Sequence, residues 1–216
     1  MINLHKKSRL TPLWALSLLS LLWGCASSPP PRYYNLLSTL PAPATQEADA
    51  RPLAVIDIVN LHLPSALDQD RLLITQADQT ITRLPQDRWA GPLEDEVRQV
   101  LQRGLWESAQ AIENRTAAGL NINIPRYRIS LNIEQFVAHA QTGAQIRANW
   151  SLRALPEGPT LLCQTNLNAP LKGNTPKDTV LALSEATYAL AQTIGQNVRA
   201  YPTGSSLCTQ AQMPKK

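Results

Sequence analysis

Tyr127-Arg-Ile-Ser-Leu-Asn-Ile-Glu134 alternates apolar and polar residues at every step. A period of two puts Tyr127, Ile129, Leu131 and Ile133 on one face of a strand, with Arg128, Ser130, Asn132 and Glu134 on the other. Ala144–Ala154 repeats the pattern on even positions, and Leu161–Leu171 carries its apolar set, Cys163 included, mostly on odd ones. Short polar connections join the three, so antiparallel pairing is the simplest topology, one face buried and one wet. Arg128, Arg147, Arg153 and Glu134 share the wet face, either as ordinary solvated charges or as a partner-binding surface.

Two helical patterns flank these strands and supply the cover. Leu93, Val97, Val100, Leu101 and Leu105 recur at helical spacing after Pro92, which suits the first helical position, and Glu94, Asp95 and Glu96 put negative charge where the helix dipole favours it. Thr175-Pro-Lys-Asp178 reads as a cap, an N1 proline and an acid three residues on. Val180, Leu183, Thr187, Leu190, Ile194, Val198 and Tyr201 continue that helix for about seven turns, until Pro202 stops it. Upstream, Tyr33–Ser38 reads as a short strand and Leu53–Leu63 as a strand apolar on both parities, ended by Pro64. Arg71–Thr75 and Thr80–Leu84 flank Ala77-Asp-Gln79 as a small hairpin. The expected fold is α+β, a mainly antiparallel sheet with two long amphipathic helices packed on one face.

The amino terminus reads differently. Lys6, Lys7 and Arg9 precede an apolar run from Thr11 to Trp23 that is too short to span a bilayer. It leads into Leu22-Trp-Gly-Cys25, which resembles the bacterial lipobox: a thiol alkylated with diacylglycerol, the peptide cut before it, the new amine acylated. On this reading residues 1–24 are a lipoprotein signal peptide, and their removal leaves 192 residues with a net charge of +1. That balance takes away the argument for a nucleic-acid partner that a pI near 9.1 invites. Three acyl chains hold a protein durably where one is marginal. Ala26 in place of Asp after the cysteine resembles the sorting signal for the outer membrane. Residues 25–32 then form a proline-rich tether, ~25 Å long from Cys25 to Tyr33 at ~3.1 Å per residue, ahead of a domain over 33–205 and a tail over 206–216.

With Cys25 consumed by lipid, Cys163 and Cys208 remain, an even number in an oxidising compartment. They are either joined, or a buried thiol at 163 and a loose one at 208. Catalytic and metal chemistry has no foothold: His62 closes an apolar strand, His139 stands alone, and no metal-ligand spacing, nucleophile elbow or phosphate-cradling glycine loop occurs. The expectation is no enzyme, no metal and no cofactor beyond the covalent lipid.

Taken in order, these features resemble the ABC-type transport auxiliary lipoprotein family. The matching residues are Cys25 after its signal, Tyr33-Tyr34-x-Leu36, Leu63-Pro64 closing the second strand and Arg71 before an aliphatic strand. Clearest is Arg88-Trp-Ala-x-Pro92-Leu93 opening the first helix; the long closing helix completes the set. The resemblance implies a lipid-anchored protein on the periplasmic face of the outer membrane, working beside an MCE-domain protein and, indirectly, an ABC transporter that supplies the energy. Its role would be to dock the MCE partner in an intermembrane lipid transport system, and oligomerisation would follow from encircling a conduit. Trp89 is expected to pack between helix and sheet, Trp150 in the core, and Tyr33 and Tyr34 to add an edge strand. The competing reading is a stand-alone carrier holding lipid or peptide between helices and sheet, which needs an apolar cavity of about 300–1,000 Å³. A cell-wall hydrolase is disfavoured by the missing catalytic residues.

Overall fold

A computed structural model of the chain describes residues 29–42, 50–117, 123–204 and 208. The signal peptide, Cys25 with the first part of the tether, and all of the tail except Cys208 lie outside the described residues. Six segments precede the first long helix: β1 (Arg32–Tyr34), a single helical turn α1 (Leu36–Thr39), β2 (Ala54–His62), a 3-10 turn (Ser65–Leu67), β3 (Arg71–Thr75) and β4 (Ile81–Trp89). Then come α2 (Leu93–Ala109), β5 (Ala111–Glu113), β6 (Arg126–His139), β7 (Gly143–Leu155), β8 (Thr160–Ala169) and α3 (Pro176–Ala200).

The eight strands form one mixed sheet organised around β6. Along one side β6 pairs antiparallel with β7 from Arg126↔Leu155 to His139↔Gly143, and β7 pairs antiparallel with β8. Along its other side β6 carries two strands end to end. Parallel β2 takes Arg126 to Asn132, and parallel β3 joins at Thr75↔His139. Asn60, with φ of 51°, marks the register shift that ends the regular part of β2; asparagine tolerates that left-handed conformation better than most residues. β5 extends the β2 branch, and β4 followed by β1 extends the β3 branch. Counted by paired residues the sheet is mostly antiparallel, as the alternating stretches indicate.

Three details depart from the sequence reading. Tyr33–Ser38 is not all strand: the Asn35 side chain accepts the Ser38 N–H at 2.9 Å and turns the chain into α1. The strand also starts at Arg32, assigned above to the tether. The second hairpin strand runs past Leu84 to Trp89, because Pro85 falls where the β3–β4 register shifts and no ladder donor is required. Pro92 occupies the N-cap position rather than N1, its carbonyl accepting from Asp95 and Glu96.

α2 and α3 cover one face. The Thr175–Asp178 capping box starts α3, and Thr175's hydroxyl and N–H hold the Asp178 carboxyl below the usual range. At their crossing the helices touch through glycines. A methyl group on Gly104 would overlap the Ala191 methyl, and one on Gly195 would overlap the Ser108 hydroxyl. Val97, Leu131, Ile146, Leu152, Val180 and Leu190 fill the layer between helices and sheet and are fully buried. Among the described residues no helix is long and apolar enough to cross a membrane.

Gly104→Ala tests this contact. Alanine is the better helix former by about 1 kcal/mol, yet the overlap with Ala191 should reverse the sign and cost about 1–3 kcal/mol net, measured as a lowered urea midpoint at unchanged m-value.

Candidate functional site

Two loops meet beside the start of α2. The segment after β2, from His62 to Asp70, faces the turn from Trp89 to Glu94 across a cleft of about 660 Å³. Its apolar lining is Leu63, Pro64, Leu67, Trp89, Pro92 and Leu93; His62, Asp68, Asp70 and Glu94 supply polar groups. The Trp89 N–H donates to the Asp70 carbonyl at 2.7 Å and Arg88 pairs with the Asp70 carboxylate, so the two loops are bonded to each other at the base of the cleft.

Charged groups below the cleft fix its position. β1 lies against β4 through Arg32, whose Nε and Nη2 donate to the Asp87 oxygens at 2.8 and 3.0 Å, while the Tyr34 hydroxyl donates to Asp87 Oδ1 at 3.0 Å. The Ala90 N–H then donates to the Tyr34 carbonyl at 2.8 Å, continuing the contact into the cleft wall. Glu96 faces inward, 2% exposed, and accepts the Leu36 N–H at 2.9 Å. Burial pushes its carboxyl above the usual range, against hydrogen bonds from Leu36, Asn35 and Gly91 that pull the other way. Two residues on, Arg98 donates to Glu113 at 2.8 Å, both buried, joining α2 to β5.

The residues singled out from sequence divide cleanly. Pro64, Trp89, Pro92 and Leu93 line the one cleft. Arg88 and Tyr34 brace it. Tyr33, opposite Arg88 in the register, is 63% exposed at the outer edge of β1. Trp89 is 7% exposed and belongs to the apolar core, as does Trp150, whose Nε1 donates to Thr165 at 3.0 Å. Cys163 and Cys208 lie apart from this site, joined by a disulfide on β8. Among the described residues no group of three or more His, Cys, Asp or Glu is arranged to hold a metal. Asp70, Asp87 and Glu113 escaped the sequence reading, and Glu96 counts there only as one of three acids placed by the helix dipole. For Glu96 a signal existed: it falls three residues after Leu93 and four before Val100, on the apolar face, where the helix dipole alone does not explain an acid.

The family model for the ABC-type transport auxiliary lipoprotein component matches residues 34–195, from the second tyrosine of β1 into the last turns of α3. The chain belongs to that family. Most of the residues that build the cleft and its bracing lie inside the match. The auxiliary lipoprotein also shares its fold with solved structures. Protein XCC0632 from Xanthomonas campestris, a DUF330 protein, superposes with a TM-score of 0.57 at 12% identity, covering 80% of this chain and 98% of its own. An uncharacterised protein gives 0.57 at 13% identity, covering 79% and 99%. No curated protein matches in sequence. As a transport auxiliary lipoprotein component, the protein works with a transport system and is held at a membrane on the periplasmic side.

Asp87→Ala should release β1 while the sheet core stays intact. Amide exchange of residues 32–36 should accelerate roughly tenfold or more against unchanged rates in β6 and β7. Glu96 gives a pH signature. Because its folded pKa lies above the unfolded one, its contribution is fully present below the unfolded value and is lost as pH rises through the folded value. Glu96→Gln should therefore flatten the fall in melting temperature over that interval, leaving the rest of the pH profile parallel to wild type.

Proposed function

We propose that the protein is an outer-membrane accessory of an ABC/MCE-type lipid transport system, anchored through Cys25, that docks the MCE-domain partner at the outer membrane. The observation that carries this reading is the siting of the cleft. The family residues Pro64, Trp89, Pro92 and Leu93 converge where β1 joins the fold, so a ~25 Å tether keeps that surface close to the bilayer. The protein acts by binding, without catalysis and without a cofactor beyond the covalent lipid; several copies side by side would surround a conduit.

The carrier reading asks for room between helices and sheet. There α2 and α3 close through Gly104 and Gly195, and the hollow between Leu93, Leu183 and Phe136 measures about 10 Å³, less than one methylene chain requires. The cleft is larger but is a surface groove between loops, a shape that favours a docked protein segment.

Affinity capture from crosslinked envelopes tests the proposal. Wild type should bring down an MCE-domain protein and fractionate with the outer membrane; Cys25→Ala should fractionate as soluble. The pair Ser65→Arg and Asp68→Arg, both on the exposed cleft rim, should lower partner recovery about tenfold or more at unchanged melting temperature. Co-purifying lipid in the soluble domain, with no transporter component recovered, would replace this reading with the carrier.

A further inference from the structure

The sheet ends in three strands whose outer edges differ. β1 and β5 are three residues long, short enough to offer little to another chain. β8 is ten residues long, pairs with β7 from Thr160 to Ala169 without a register break, and among the described residues has no strand on its other side. Natural edges of this length are guarded by charge, proline or a bulge. Thr160-Leu-Leu-Cys-Gln-Thr-Asn-Leu-Asn-Ala169 has none of these; Pro159 and Pro170 stand just outside and set its ends.

Both faces beside this edge keep exposed apolar positions, although the Cys163–Cys208 disulfide closes the middle of the helix side. On the helix side Leu161 and Leu167 are only half-buried although they pack on the core. On the open side Leu162 is 49% exposed and borders a shallow trough of about 380 Å³ with Ser151, Asn149 and Gln164. A strand laid along β8 would cover the two half-buried leucines with one row of side chains and reach Leu162 and the trough with the other. The open face of the β7–β8 ribbon carries Arg147 and Arg153 and no carboxylate. Arg147 donates to Asn166 at 3.0 Å, holding its charge over β8.

We infer that the outer edge of β8 accepts, by strand addition, an extended segment of the docked transport partner. The segment is amphipathic, with apolar residues toward α3 and at least one carboxylate on the open face. A second copy of β8 lacks that carboxylate, which disfavours self-pairing. The inference rests on the docking role proposed above and adds a second contact, apart from the cleft.

Full-length anchored protein carrying the photoreactive residue p-benzoylphenylalanine in place of Leu162, Gln164 or Asn166 is irradiated in envelopes, and the adducts are mapped by mass spectrometry. The expected result is adducts from all three positions to alternate residues of one segment of another protein. Arg147→Glu with Arg153→Glu should lower their yield about tenfold while the melting temperature holds. Strand-spaced adducts to a protein without an MCE domain support the edge and sink the MCE reading. Capture of an MCE protein without β8 adducts keeps docking and overturns the edge. Adducts to residues 209–216 of the same chain, or to a second copy, also overturn it. A Leu161→Lys variant, which puts a charge into the helix-side row, must abolish adduct formation without loss of the β6–β7 amide protection that reports folding.

Discussion

Helices α2 and α3 cross where neither can carry a larger side chain: Gly104 lies against Ala191, and Gly195 against Ser108. Backbone approach of this kind lets two long helices share one face of a sheet, and the rest of the architecture follows from it. The shared face is the one on which Tyr127, Ile129, Leu131 and Ile133 of β6 meet the even residues of β7. With both helices on that side, the opposite face of the sheet stays open. The chain then spends polar but mostly uncharged residues, Ser130, Asn132, Asn149, Ser151 and Gln164, on a surface that soluble proteins usually line with charge.

Buried carboxylates do a different job. Asp87, Glu96 and Glu113 each tie down a short element that has little apolar surface of its own: β1 and the start of α1 donate to the first two, and Glu113 on β5 accepts from Arg98 of α2. A three-residue strand buries too little to hold itself in place, so its position depends on ions that would be costly to leave unpaired. The cleft wall is built on these ties. Its shape is set by hydrogen bonds of fixed direction, which aim a loop more sharply than dispersion contacts do.

The large elements were legible because period and capping speak locally. Alternation marked β6 and β7, and Thr175, Pro176 and Asp178 marked the start of α3 to the residue. What escaped was long-range. Nothing within Ala111–Glu113 announces a strand; it exists because β2 offers it a parallel edge and Arg98 holds Glu113. The fork of the sheet was invisible for the same reason, since parallel pairing of β2 and β3 with β6 leaves no signature in the intervening loops. The cleft was half legible: Pro64, Trp89, Pro92 and Leu93 stood out as motif residues, but their convergence needed the register of β1 on β4. Asp70 and Asp87 carried no signal, because a carboxylate's role depends on which cation the fold brings to it.

The clamp between Arg32 and Asp87 has a mechanical side. Any load on the chain ahead of Arg32 falls on the first residue of β1, and β1 lies parallel to Asp87–Trp89. Tension along the strand is therefore resisted in shear, by several backbone bonds and a two-pronged ion pair at once, instead of peeling them one by one. Two residues along β4 from Asp87 is Trp89, which lines the cleft. Load entering the fold through β1 thus reaches the wall of the cleft before it reaches the core.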